Sequence, residues 1–113
     1  LEVIDDSLAP SETSKAIHQA MSNTAPGGSG KPAHSDKVSV AGKTAHIAVS
    51  DEEDDSEGRI YTNYLVEFCG YFPADNPKYS IIVSINKRGL PVSGGLMAGS
   101  VFSEIVDFIM ERE

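Results

Sequence analysis

Few side chains in this chain have both the type and the spacing for chemistry. Ser84-Ile85-Asn86-Lys87 sets a serine three residues before a lysine. On a helix that spacing puts both on one face, as a nucleophile with its activating base. The surrounding residues, Ile81, Ile82, Val83 and Ile85, read as a buried strand, where positions three apart point to opposite faces. Turn chemistry after a buried strand is the better reading. Gly27-Gly28-Ser29-Gly30-Lys31 resembles a phosphate loop, but the first glycine is missing at the required spacing and Pro32 stands where a magnesium-binding hydroxyl is needed. It reads as a flexible loop. Residues 51–57 hold six acids without the alternating spacing of a calcium loop, so they read as a solvated hairpin tip. His18, His34 and His46 lack zinc-ligand spacing, and no metal or other cofactor is expected. Cys69, the one cysteine, reads as a small hydrophobe packed in its strand. That leaves Lys43-Thr44, a cation beside a hydroxyl, which on its own is an ordinary polar pair on a strand.

These residues must be positioned by few elements. After Pro10, residues 13–21 read as a helix with Ser11 as N-cap and Ile17, Ala20 and Met21 on one face. The helix should stop near Asn23, since the Pro/Gly-rich residues 26–32 cannot continue it. Residues 38–49 read as a strand through Val38, Val40, Lys43, Ile47 and Val49. The acidic residues and Gly58 make a connection, a loop over residues 50–58. Residues 60–71 form a second strand, with Tyr64, Val66 and Phe68 on one face and Leu65, Glu67 and Cys69 on the other. Residues 73–77 are a turn. Residues 79–86 are a third strand, apolar enough for burial on both faces. Residues 89–99 are glycine-rich and loop-like. Residues 100–112 are an amphipathic helix with Val101, Phe102, Ile105, Val106, Phe108 and Ile109 in its stripe. The fold class is therefore α+β: a three-stranded antiparallel meander with an N-terminal and a C-terminal helix packed on the sheet.

The chain has 113 residues, enough for one domain or a piece of one with a modest core. Its formal net charge of −8 argues against nucleic acid and anionic membranes as partners. Most of that charge lies in residues 51–57, and the remainder is near neutral, so the charge describes a loop more than a partner. A single cysteine excludes an internal disulfide. No apolar run approaches the roughly 18 to 20 residues of a membrane span. Residues 1–6 are acidic where a signal peptide would be basic. The chain opens on Leu1 rather than Met, which suggests an excised piece or a processed product.

Three segments, in order, resemble one family. Val40-Ala41-Gly42-Lys43-Thr44-Ala45 is similar to the V-A-G-K-T-G strand of class B penicillin-binding proteins. Phe68-Cys69-Gly70-Tyr71-Phe72-Pro73-Ala74-Asp75-Asn76-Pro77-Lys78-Tyr79 resembles the family's turn into the following strand. Gly94-Gly95-Leu96-Met97-Ala98-Gly99-Ser100-Val101-Phe102-Ser103-Glu104-Ile105 is similar to the lead into its last helix, with Ser100 where the family usually has proline. The first helix and the glycine-rich loop resemble the stretch ahead of the Lys-Thr-Gly strand. The resemblance covers nearly the whole chain.

It implies a single, truncated domain over residues 1–113: the C-terminal portion of a transpeptidase domain with a partial serine β-lactamase/transpeptidase-like fold. The family's chemistry is acyl transfer, in which a serine of an S-x-x-K helix attacks a D-Ala-D-Ala peptide or a β-lactam. By that resemblance Lys43 is the cationic member of the cleft wall and Thr44 a substrate hydroxyl contact. Ala45 replaces the family's glycine, and the backbone N–H of His46 is the oxyanion donor. The nucleophile is expected upstream and absent here, so this chain alone should be inactive. The implied partners are the peptidoglycan stem peptide or a β-lactam, bound by the intact parent. Its implied location is the extracytoplasmic side of a bacterial envelope, anchored by a membrane helix outside this chain. The alternative is a stand-alone, non-catalytic binding module of the same fold. Excision should also leave a strand edge exposed, so self-association through that edge, or by exchange of an end helix, is expected.

Overall fold

The computed structural model describes residues 2–54 and 56–113. Asp55, part of the acidic run, lies outside the described residues, as does Leu1. The elements run α1 (Ser11–Gly27), a 3₁₀ turn (Lys31–Ala33), β1 (Ala41–Asp54), β2 (Arg59–Phe72), β3 (Tyr79–Arg88), a π-helical turn (Gly94–Gly99) and α2 (Ser100–Glu111). The three strands form one antiparallel sheet in the order β1-β2-β3. The α+β meander with a helix at each end is thus the observed architecture.

Alternation of side chains gives the sheet two unlike faces. Across the register, Thr44, Phe68 and Val83 stand side by side, as do His46, Val66 and Ile85. Phe68 and Val66 are fully buried, so this is the packed face. Phe102 of α2 lies on it, its ring 4.8 Å from Phe68 and 6.2 Å edge-on from Phe72. Ala25 of α1, Ala33, Val40, Ala98 and Val106 complete one core. On the opposite, open face stand Lys43, Cys69 and Ile82, then Ala45, Glu67 and Ser84. Ile82 is 67% exposed.

The open face explains two departures from the sequence reading. β3 is not buried on both faces; its residues alternate between half-buried and exposed along its whole length. Its apolar run reflects strand propensity as much as burial. Cys69 is exposed rather than packed, because its odd position turns it away from the core.

The hairpin also differs. β1 begins at Ala41 rather than Val38 and continues through the acidic residues, pairing Asp51 with Thr62, Glu52 with Tyr61 and Asp54 with Arg59. A bulge between Ala48 and Ser50 precedes this stretch. Residues 50–54 of the supposed loop over residues 50–58 are therefore strand, and residues 56–58, with Gly58 at φ 67°, turn the chain. Acids are poor strand formers, but this two-stranded arm runs past the end of β3, and Asp51, Glu52 and Glu53 on it are exposed, where charge costs little. Asp51 accepts from Thr62 Oγ1 at 2.9 Å.

α1 is longer than its proline suggested. It passes Asn23 and ends at Gly27, with Pro26 in the last turn. The N-cap is Pro10, without a side-chain cap, so Ser11 is the first helical residue rather than the cap. The late proline removes one N–H from the last turn, and Gly28 N–H closes the helix by donating to Thr24 O at 3.0 Å. The inward face carries His18, Met21, Ser22 and Ala25, one residue round from the expected stripe, and Ile17 is exposed. Tyr71 explains the rotation: its hydroxyl lies 2.5 Å from His18 Nδ1, and the two rings stack at 5.7 Å. Partial burial pushes the Tyr71 phenol above its ordinary pKa.

In α2, Phe102 and Val106 are buried, but Val101 and Phe108 are exposed. Phe108 is covered instead by Arg112, whose guanidinium carbon sits 3.4 Å from the ring centroid. The helix is tied down at its polar edge. Ser35, the buried polar side chain among the described residues, donates to Asp107 Oδ1 at 2.6 Å and accepts from Lys37 N–H at 3.1 Å. At the C-terminus Glu113 bonds Lys78 and, at 2.5 Å, the Tyr79 hydroxyl. Those bonds hold its carboxyl below the usual range.

Candidate functional site

Lys43, Thr44, Ala45 and His46 occupy four successive positions of β1, an edge strand of the sheet. The strand does not present them together. Thr44 and His46 lie on the packed face, Lys43 and Ala45 on the open one. Lys43 is exposed, and its Nζ donates to the carbonyl of Thr44 at 2.8 Å, which folds the ammonium back along the strand edge. Ala45 and His46 are exposed.

Thr44 is held by two segments distant in sequence. The π-helical turn crosses the sheet at Gly94, where a Cβ would lie 2.9 Å from Thr44 Cβ, 2.8 Å from Glu67 O and 3.1 Å from Ala45 N. Any side chain there would push the turn off the strand. The loop after α1 arrives from the other side, with Ser29 Oγ 3.3 Å from Thr44 Oγ1. The two segments also touch each other: a Cβ on Gly95 would sit 2.1 Å from Ser29 O. Ser93 starts the turn by accepting from Leu96 N–H at 3.1 Å. The result is a polar edge with an ammonium, a hydroxyl pair and strand backbone, seated on three chain segments.

Ser29, Gly94 and Gly95 join Lys43 and Thr44 at this edge through tertiary contacts. An adjacent glycine pair just before a helix was the available signal, since two glycines with no tight turn to serve point to close backbone approach. For Ser29 the signal was its place in the glycine-rich loop that resembles the family's stretch ahead of the strand; its partner, 15 residues away, leaves no local trace.

The other candidates fall outside this edge. Ser84 and Lys87 are both within β3, opposite Glu67 and Tyr64 respectively, and so on opposite faces. Ser84 Oγ donates to Glu67 Oε1 at 2.7 Å. The residues are strand rather than turn, which is a stronger reason to discard the motif. Residues 27–31 close α1 and open the 3₁₀ turn. His18 belongs to the Tyr71 contact and His34 lies 3.2 Å from Asp36 Oδ1. Among the described residues no cluster of three or more His, Cys, Asp or Glu is placed to hold a metal ion.

Comparison with known proteins matches the penicillin binding protein transpeptidase domain over residues 4–107. The chain belongs to the penicillin-binding-protein transpeptidase family. It is 30% identical over 97 residues to stage V sporulation protein D of Bacillus subtilis (strain 168), which covers 84% of this chain. It also superposes on the transpeptidase domain of the FtsI4 D,D-transpeptidase from Legionella pneumophila, with a TM-score of 0.69, 32% identity and 92% of this chain covered. The chain spans 14% of the length of the sporulation protein and 37% of the solved transpeptidase chain. The sequence-level likeness to penicillin-binding proteins and the observed fold therefore agree. Among the described residues no helix is long and apolar enough to cross a membrane.

Proposed function

We infer that this chain forms one wall of the substrate cleft of a serine D,D-transpeptidase, whose intact form cross-links peptidoglycan by acyl transfer and is acylated by β-lactams. The observation that carries the reading is the seating of Thr44: an edge-strand hydroxyl next to Lys43, fixed from both sides by Gly94 and Ser29, in a family of transpeptidases. In this role Lys43 supplies positive charge for the substrate's anionic groups, and Thr44 donates a hydrogen bond to the substrate. The backbone N–H of His46 faces the developing oxyanion. Ala45 is exposed, so its methyl is accommodated without displacing the packed face.

The chain supplies the C-terminal part of the domain, and the attacking serine with its lysine comes from upstream. The intact protein works on the extracytoplasmic side of a bacterial envelope, held there by a membrane helix outside this chain.

Two measurements with fluorescent penicillin test this. The 113-residue chain alone should remain unlabelled. The intact protein should label, and Lys43→Ala should slow it by about tenfold or more, the scale of one charge-assisted contact in a low-dielectric site. Labelling of the isolated chain would show that the nucleophile lies within it. Failure of the intact protein to label would favour a non-catalytic module of the same fold.

A further inference from the structure

Thr44 can donate to a substrate only if its single proton is not already used. A hydroxyl has one proton and two lone pairs, so in a pair of hydroxyls one donates and the other keeps its proton free. Ser29 Oγ and Thr44 Oγ1 lie 3.3 Å apart, and either could be the donor. Thr44 is half-buried and β-branched, with a stiff χ1 further restricted by Gly94, whose absent side chain leaves no spare room beside Thr44 Cβ. Ser29 is exposed at its side chain, yet its backbone is pinned. Its carbonyl sits against Gly95, and at the next residue a Cβ on Gly30 would be 2.5 Å from Thr24 Cγ2 and 3.1 Å from Phe68 Cε2. The loop therefore delivers the serine hydroxyl to a fixed place beside a fixed threonine.

We propose that Ser29 is a positioning residue for Thr44: its hydroxyl donates to Thr44 Oγ1, leaving the Thr44 proton directed at an acceptor oxygen of the substrate. This rests on the reading of Thr44 as a substrate contact. An anionic acceptor favours that polarity over the reverse, because a second hydrogen bond in line polarises the first and strengthens it. The two glycines of the π-helical turn support the same arrangement, since Gly94 packs against the threonine and Gly95 against the serine's backbone.

The test is a double-mutant cycle on the rate of penicillin acylation in the intact transpeptidase. Ser29→Ala should slow acylation by about two- to tenfold, the range of one net hydrogen bond. Ser29→Thr keeps the hydroxyl, has solvent for its extra methyl, and should restore the rate. In a Thr44→Val background, Ser29→Ala should cost nothing further, because the group it positions has gone. Wild-type rates for Ser29→Ala, losses that multiply in the double variant, or a Ser29→Thr protein as slow as Ser29→Ala would each overturn the positioning role. A Thr44→Val protein that acylates normally would instead overturn the reading of Thr44 itself.

Discussion

At the scale of single residues, buried polarity in this small core is concentrated at Ser35. Its hydroxyl is both donor and acceptor, joining the loop before β1 to Asp107 of α2. Nearby, Ser103 Oγ donates to His34 O at 2.8 Å and reinforces the same junction. Ser35→Ala removes one group but strands two, the Asp107 carboxylate and the Lys37 N–H. We expect a loss of about 1–3 kcal/mol in urea unfolding, the cost of leaving such partners unsatisfied. An unchanged unfolding midpoint would mean that water replaces the serine at no cost. The residue was invisible as a structural element from sequence, because a serine in a polar stretch has no pattern. Lys43 and Thr44 stood out only because the segments around them matched a family motif.

At the scale of elements, β1 and β2 are held close by what they lack. A Cβ on Gly42 would meet Phe68 Cζ at 2.4 Å and Cys69 O at 2.8 Å. Phe68 fills the space over Gly42 and is itself fully buried under Phe102. Gly42→Ala should therefore destabilise the chain by about 1–3 kcal/mol, as overpacking a closed core does. In a Phe68→Leu background Gly42→Ala should cost less, because the ring that its methyl strikes is gone. A Gly42→Ala protein with a wild-type urea midpoint would argue that the ring can turn aside freely. Gly42 matters for the site as well, since it lies two residues from Thr44 on the same face, and a displaced strand start would move the hydroxyl off Ser29.

At the scale of the whole molecule, the sheet is covered on one face and open at the β1 edge. Ile47 and Val49 on that strand are each 54% exposed, and the acidic arm continues it into solvent. The strand is polarised, with Lys43 near its start and Asp51, Glu52 and Glu53 near its end. A second copy paired antiparallel along this edge sets each lysine half against an acidic half, whereas parallel pairing sets like charges together. The chain should therefore form a dimer that sedimentation detects at high concentration, and Ile47→Lys should return it to monomer by placing a charge on the joining edge. A wild-type chain that sediments as a monomer throughout would rule this out.

Local chemistry decided the elements. Alternating Val, Ile and Phe made the strands, Pro-Ala-Asp-Asn-Pro made the turn, and the 3.6-residue apolar stripe made α2; each depends on near neighbours, and each is legible from sequence. The tertiary structure decided everything that depends on which face meets what. It left one face of β3 open, turned Cys69 outward, swung α1 so that His18 rather than Ile17 faces inward, and drew the acidic residues into β1. At the site, sequence supplied Lys43 and Thr44 by family likeness. Only the fold brought Ser29 and Gly94 to Thr44, and Gly95 to Ser29, because those contacts join segments 15 or more residues apart. Such pairs leave no periodic trace in the chain: nothing in either segment records the spacing between them until both are docked on the same sheet.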